Sequence, residues 1–372
     1  MRKTNNLLLV FLFLTCIQQG ISQSRQIINL PDIPGYHTLK GDFHMHTVFS
    51  DGTVWPTVRV EEAWIEGLDI IAISDHIEYR PHSKDVVADH NRSYEIAEPL
   101  AKKLGIILVR AAEITRSMPP GHLNVLFIEN ANLLERDDVF DALQEARDQG
   151  AFILWNHPGW KAQQPDTTLW WTEHTRLLNQ DLLHGIEVYN FKDYYPEAID
   201  WAMEKDLTLF GNSDVHPPIG MAYDLVENHR PMTLVFAKTK TRQGVRDALF
   251  NQRTAVYFDN TLMGTSTLLE PLFFASLDID DSPLELQNKE AAIVEIENNS
   301  DIDYELELVQ PGVGFDAPES IVIEAHHATP VELRGNSEQV SSMNQLKAFY
   351  KVKNMSVSSG KNLVVTFSFV NR

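Results

Sequence analysis

The chain has 372 residues, 43% of them hydrophobic and 22% charged, enough for a sizeable core and, on length, for two domains. Its formal net charge of -21 leaves no basic excess to neutralise a nucleic-acid backbone, which argues against a polynucleotide as the general partner. Any phosphate must meet positive charge locally, from metal ions or a few Arg and Lys.

The N-terminus reads as an export signal over residues 1–22: Arg2 and Lys3, then the apolar run Leu7 to Leu14, then Gly20-Ile21-Ser22 with cleavage after Ser22. The run is shorter than the roughly 20 residues of a membrane span, so we expect an exported chain, periplasmic or extracellular, with no transmembrane anchor. The single cysteine, Cys16, falls inside this segment. The mature chain is therefore expected to lack disulfides, and a lipid on Cys16 is disfavoured by the residues before it.

The stretch Gly41-Asp42-Phe43-His44-Met45-His46 follows a short Pro- and Gly-punctuated lead-in. On a strand, His44 and His46 project from one face, and Asp51 in the following Ser-Asp-Gly turn can swing a carboxylate towards them. From there, short apolar runs alternate with stretches of helical period. Strands are expected at 41–45, 69–74, 106–113, 122–128, 151–156, 185–189, 208–212 and 232–236. Helices are expected at 57–66, 93–103, 137–149, 169–178, 196–204 and 241–251. Alternating strand and helix predicts a parallel sheet closed or nearly closed as a β/α barrel, with functional residues at the carboxyl ends of the strands. From about Thr267 helical periodicity gives way to short alternating runs, which predicts a small antiparallel β-sandwich. The division expected is a barrel at 23–266 and an accessory domain at 267–372. The adjacent His326 and His327 would point to opposite faces of a strand and are read as surface residues.

The strand ends carry the chemistry. His76 follows the second expected strand, Glu113 ends the third, His122 follows Gly121, His157 follows Asn156, and Asp214 and His216 close the series. This donor set is nitrogen and oxygen only, suited to Zn, Mn or Fe, and more numerous than one ion requires. Two or three divalent ions are implied, with Glu113 able to bridge a pair. Such a cluster suits in-line hydrolysis of a phosphate ester, in which ions activate a shared hydroxide as attacking group. Glu113, Asp214 and His216 then carry the catalytic work through that hydroxide. Hydrolysis of an amide or cyclic C–N bond remains an alternative, as does a binding role for the second domain.

The set His44-x-His46, Asp51, Ser74-Asp75-His76, Glu113, Gly121-His122, Asn156-His157-Pro158 and Asp214-x-His216 resembles the PHP (polymerase and histidinol phosphatase) superfamily over roughly residues 36–258. The resemblance implies a distorted seven-stranded (β/α) barrel, usually with three metals and mostly with phosphoesterase activity. It also implies one ion on His44, His46, Glu113 and Asp214, a second on Glu113, His122 and His157, and a third on Asp51, His76 and His216. Many members have His where this chain has Asp51. The signal segment and the β-sandwich bring the chain nearer to exported PHP-type phosphodiesterases. A phosphodiester is favoured over a monoester, and the partner expected is a small diffusible ester.

For the substrate side, Arg80 and Arg116 follow His76 and Glu113 and are candidates to grip phosphate with a planar fork. Trp160 and Lys161, the pair Trp170 and Trp171, and Tyr189 with Asn190 are candidates for a pocket wall, and Arg253 for an approach from the last strand. Asn156 and Asn212 read as residues that support ligands rather than bind them.

Overall fold

The computed structural model describes residues 24–226 and 228–372. The expected signal segment, its cleavage point and Cys16 lie outside the described residues. The first part alternates strand and helix: β1 His37–Asp42, α1 Pro56–Ile65, β2 Ile70–Ile73, α2 Arg92–Leu104, β3 Ile107–Ile114, β4 Leu123–Leu126, α3 Val139–Asp148 and β5 Phe152–Trp155. It continues with α4 Thr172–Asn179, β6 Gly185–Asn190, β7 Asp193–Tyr194, α5 Pro196–Lys205, β8 Thr208–Asn212, α6 Ile219–Ala222, β9 Met232–Ala237, α7 Arg242–Phe250, β10 Thr254–Phe258, β11 Thr261–Gly264 and α8 Ser266–Ala275. The second part is all β: β12 Leu277–Ile279, β13 Ala291–Asn298, β14 Tyr304–Gln310, β15 Phe315–Asp316, β16 Ser320–Ile323, β17 Ala328–Gly335, β18 Gln345–Ser358 and β19 Lys361–Val370.

Strands β2, β4, β5, β8 and β9 are buried at every residue, as continuous apolar runs covered on both faces should be. The expectation of a wholly parallel sheet is corrected. β1, β2 and β3 run parallel, as do β5, β6 and β8, but β4 is antiparallel to both β3 and β5, and β9 is antiparallel to β1. For β4 the reason is connection length: the stretch between β3 and β4 carries no helix, and a parallel crossover needs a dozen or more residues. β10 and β11 form a hairpin that the sequence reading missed. Its two loop residues, Asp259 and Asn260, have φ of 48° and 53°, the left-handed pair that a two-residue turn requires. Helix α8 also corrects the expectation that helical structure ends near Thr267.

Where β8 meets β9 and β10, threonines bridge the strands. Thr233 Oγ1 accepts from Gly211 N and donates to Gly211 O, while Thr254 Oγ1 donates to Leu209 O at 2.8 Å. Gly211 is required there, because a Cβ would lie 2.4 Å from Val256 Cγ1.

The β-rich part packs two sheets. One runs β12-β13-β17-β15; the other, β16-β14-β18 with β19 on β18, joins the first part through parallel pairing of β18 with β11. β13 and β17 alternate buried and exposed residues at period two, the pattern of strands with one wet face. Leu269, Leu272 and Phe273 of α8 share one apolar cluster with Tyr304 of β14 and Phe367 of β19, so the two parts are packed through a common core.

Candidate metal centre

β1 stops at Asp42, so His44 and His46 lie just beyond the strand rather than on it, correcting the expectation of a strand at 41–45. Met45 makes one parallel bridge to Val215, and Asp214 N donates to His44 O at 2.8 Å. These contacts bring the first and last ligand segments together. Nε2 of His44 and Nε2 of His46 are 3.1 Å apart, Asp214 Oδ1 lies 3.1 and 3.0 Å from them, and Glu113 Oε2 lies 3.2 Å from each. Four candidate ligand atoms from four residues thus converge on one spot.

Around it the other expected ligands gather. His122 Nδ1 is 2.7 Å from Glu113 Oε1, and His157 Nε2 is 3.9 Å from Glu113 Oε1 and 4.0 Å from Asp214 Oδ2. Asp51 Oδ1 sits 3.2 Å from His216 Nε2, 3.4 Å from His76 Nε2 and 3.8 Å from His46 Nδ1. All nine residues fall into overlapping groups whose ligand atoms lie within 4.8 Å of one another: His46, Asp51, His76 and His216; His44, His157 and Asp214; His44, His46 and Glu113; His76, Glu113 and His122.

The donor set fits divalent cations. Asp51 Oδ1, Glu113 Oε1 and His122 Nδ1 are buried without a hydrogen-bond partner, even though the last two atoms are only 2.7 Å apart. Such orphans are costly unless a ligand satisfies them. Electrostatics agree. Burial favours neutral His44 and His46, yet Asp214, Glu113 and, for His44, Glu187 outweigh it, raising His44 and taking His46 to about 9. Burial opposes ionisation of Glu113 and Asp214 as well, but the surrounding imidazoles hold both carboxyls well below the usual range. Burial keeps His157 low and brings His76 to about 4, leaving their rings neutral with a free lone pair. The cluster therefore demands positive charge, from protons or from metal ions. Two ligands, His157 and Asp214, occupy left-handed backbone with φ of 28° and 49°, strain of the kind held at functional sites.

The sequence reading expected Asn156 and Asn212 to support the candidate ligands but missed others that hold them. Glu187, on β6, accepts from His44 Nδ1 at 2.9 Å, from His157 N at 2.7 Å, and from the side-chain amides of Asn212 and Asn190 at 2.9 Å each. A fully buried carboxylate in the apolar run Gly185-Ile186-Glu187-Val188 was the available signal. Asp75 accepts from Thr47 N, Thr47 Oγ1 and Ser50 Oγ, fixing the loop between His46 and Asp51. Arg59, fully buried on α1, donates to the carbonyls of His46, Val215 and His216 and ties the His44-x-His46 and Asp214-x-His216 segments together. Asn212 Oδ1 accepts from Phe43 N, while Asn156 bonds Asn124, whose Nδ2 reaches Phe43 O. Both asparagines support ligand loops.

Above the ligands opens a cavity of about 610 Å³, lined by Asp51, His76, Glu113, His122, His157, Asp214 and His216 on the floor, and by Tyr79, Trp160, Asn190, Phe191, Lys192 and Met221 among its walls. Arg80 spends its guanidinium on the carbonyls of Phe49, Val87 and Ala88, and Arg116 pairs with Glu78 and donates to Arg136 O. Neither lines the cavity, nor do Lys161, Trp170, Trp171, Tyr189 or Arg253. Trp170 packs on Trp155 and Trp201, and Tyr189 stacks on Tyr194. Among the lining residues the cation is Lys192, exposed at the rim and missed by the sequence reading.

Comparison with known proteins places this geometry. An Ig-like domain family model matches residues 277–368, the β-rich part. The whole chain is similar to a crystal structure from Bacteroides vulgatus ATCC 8482, a two-domain protein containing a predicted PHP-like metal-dependent phosphoesterase. Identity is 45%, coverage is 94% of this chain and 100% of that one, and the TM-score is 0.88. A 5'-3' exoribonuclease of Haemophilus influenzae is 35% identical over 78 residues, 21% of this chain; the match spans only 24% of that relative's length.

Proposed function

The chain belongs to the PHP-like metal-dependent phosphoesterases, and from that premise we propose that it hydrolyses a small phosphate ester, a diester in preference to a monoester, outside the cytoplasm. We read the curled sheet as that family's distorted seven-stranded barrel, with the threonine bridges at β8 completing its wall. The observation that carries the reading is the convergence of nine candidate His, Asp and Glu ligands, seven of them lining the floor of an open cavity and His44 and His46 buried among them. His44, His46, Glu113 and Asp214 would hold one ion, Glu113 with His122 and His157 a second, and Asp51, His76 and His216 a third, in Zn, Mn or Fe. Ions bound there acidify water and offset charge developing on phosphoryl oxygens.

The chain's own residues do the rest. Glu113 aims Oε2 at His44 and His46 and Oε1 at His122, so one carboxylate spans neighbouring positions. Glu187 holds the His44 ring by Nδ1 and leaves Nε2 facing the cluster. Substrate enters past Trp160, Phe191 and Lys192, and the cavity offers the phosphate one ammonium and no guanidinium among its lining residues. The stretch shared with an exoribonuclease supports the choice of a diester. Export rests on Arg2, Lys3 and the apolar run to Leu14, and among the described residues no helix is long and apolar enough to cross a membrane.

The test is hydrolysis of bis(p-nitrophenyl) phosphate against p-nitrophenyl phosphate, before and after chelation and with Mn or Zn restored. Activity should vanish on chelation, return with metal and be absent in Asp214→Ala, and the diester should be the faster substrate. Full activity in metal-free protein would refute the reading, and a faster monoester would make the enzyme a phosphatase on the same site.

A further inference from the structure

Trp160 stands beside the floor of the cavity, its ring centroid 5.3 Å from that of His157 and 5.7 Å from that of His122, with interplanar angles of 65° and 59°. At those angles the imidazoles meet the indole obliquely, and neither stacks flat on it. The side chain is 41% exposed, and its Nε1 makes no hydrogen bond among the described residues. Its position is fixed from below: Trp160 N donates to His157 O, and Trp160 O accepts from Gln163 N and Gln164 N, a turn that begins at a metal-ligand candidate. The platform is therefore set rigidly against the reacting centre. Tyr79, 53% exposed, stands 6.0 Å from His76, and Phe191, 40% exposed, holds a left-handed φ of 55° at the mouth. A bulky residue seldom adopts that backbone without a reason.

The polar side chains on these walls are Tyr79, Thr115, Asn190, Lys192 and Asp193, and two of them are already committed. Thr115 Oγ1 is bonded to His76 Nδ1 at 2.6 Å, and Asn190 Nδ2 donates to Glu187. A sugar ring needs a partner for each hydroxyl it buries, and an unpaired one costs more than it returns. A flat aromatic ring has no such demand and gains stacking on the indole.

Resting on the phosphoesterase reading, we propose that Trp160 determines specificity and that the site takes phosphate esters carrying an aromatic or heteroaromatic ring within one or two bonds of the ester oxygen. The phosphoryl group sits over the candidate metal ligands of the floor, the ring lies on Trp160, and Lys192 at the rim counters the phosphate charge. Lys192 contributes to affinity for any anionic ester, whereas Trp160 discriminates between organic groups.

Non-hydrolysable probes test this apart from turnover. Binding of phenylphosphonate and of cyclohexylphosphonate, equal in charge and close in size, is measured by calorimetry on the full-length protein supplied with Mn or Zn. Wild type should bind the phenyl compound about tenfold more tightly, as aromatic stacking of this kind allows. Trp160→Ala should bring the two within about twofold, Trp160→Phe should keep most of the preference, and Lys192→Ala should weaken both alike. Equal binding of the two probes by wild type, or a preference that survives Trp160→Ala, overturns the proposal. Phenyl-selective binding by a protein that hydrolyses no phosphate ester would sink the phosphoesterase reading and leave the aromatic platform standing; ester hydrolysis without phenyl preference would do the reverse.

Discussion

Glu187 and His44, separated by 143 residues in sequence and both fully buried, meet through a 2.9 Å hydrogen bond from His44 Nδ1 to Glu187 Oε1. That contact determines which nitrogen of His44 faces the cluster, and the same carboxylate accepts from the backbone of His157. One residue outside the ligand set therefore orients two ligands.

Glu187→Gln should weaken metal binding by about 10- to 100-fold, the usual effect of losing a carboxylate that orients a ligating imidazole. Four donors converge on Glu187, and an amide presents one of its own against them. Calorimetric titration with Mn or Zn measures the loss; an unchanged affinity would show that packing alone positions His44.

The proposed third ion depends on Asp51. Its Oδ1 is buried, has no hydrogen-bond partner and stands 3.2 to 3.8 Å from nitrogens of His216, His76 and His46. Asp51→Ala should remove one ion per chain by elemental analysis and leave those on His44, His46, Glu113 and Asp214 in place. An undiminished count would reduce Asp51 to a turn residue.

Arg230 is the buried counter-charge of the floor. It donates to Asp42 Oδ2 at 2.9 Å and to both oxygens of Glu66, and Asp42 in turn accepts from Ser213 N and Oγ. Arg230→Met leaves two buried carboxylates without their counter-charge and should cost about 3–5 kcal/mol in urea denaturation. Loss of under 1 kcal/mol would mean that solvent reaches Asp42 and Glu66.

His174, fully buried, stacks on Trp155 with ring centroids 3.6 Å apart. Its Nε2–H donates to Pro120 O, and Nδ1 accepts from Trp171 N, so the pocket is built for the neutral ring. Burial lowers its pKa from 6.5 to about 4. Between those values the unfolded chain binds a proton that the native chain refuses, so the stability contribution is intact above pH 6.5 and falls as pH drops towards 4. The loss reaches about 3 kcal/mol once pH falls to about 4, where the native ring protonates as well. His174→Phe should flatten that slope in denaturation curves recorded from pH 7 to pH 4; an unaltered slope would place the titration elsewhere.

The sequence by itself determined the kinds of ligand, their order along the chain and their placement at strand ends, because period-two strands and Gly or Asn turns are properties of a few consecutive residues. The two-part organisation was legible for the same reason: helical periodicity gives way to alternation, and the β-rich part is the Ig-like domain. Tertiary structure decided what depends on residues distant in sequence. It turned β4 and β9 antiparallel, carried His44 and His46 past the end of β1, and paired β18 with β11 so that both domains share a core. It also selected Glu187, Arg59 and Arg230 as the supports of the site, and committed Arg80 and Arg116 to carbonyls and Glu78 while leaving Lys192 at the rim. Burial and pairing across more than a hundred residues are energies of packing, and no local pattern encodes them.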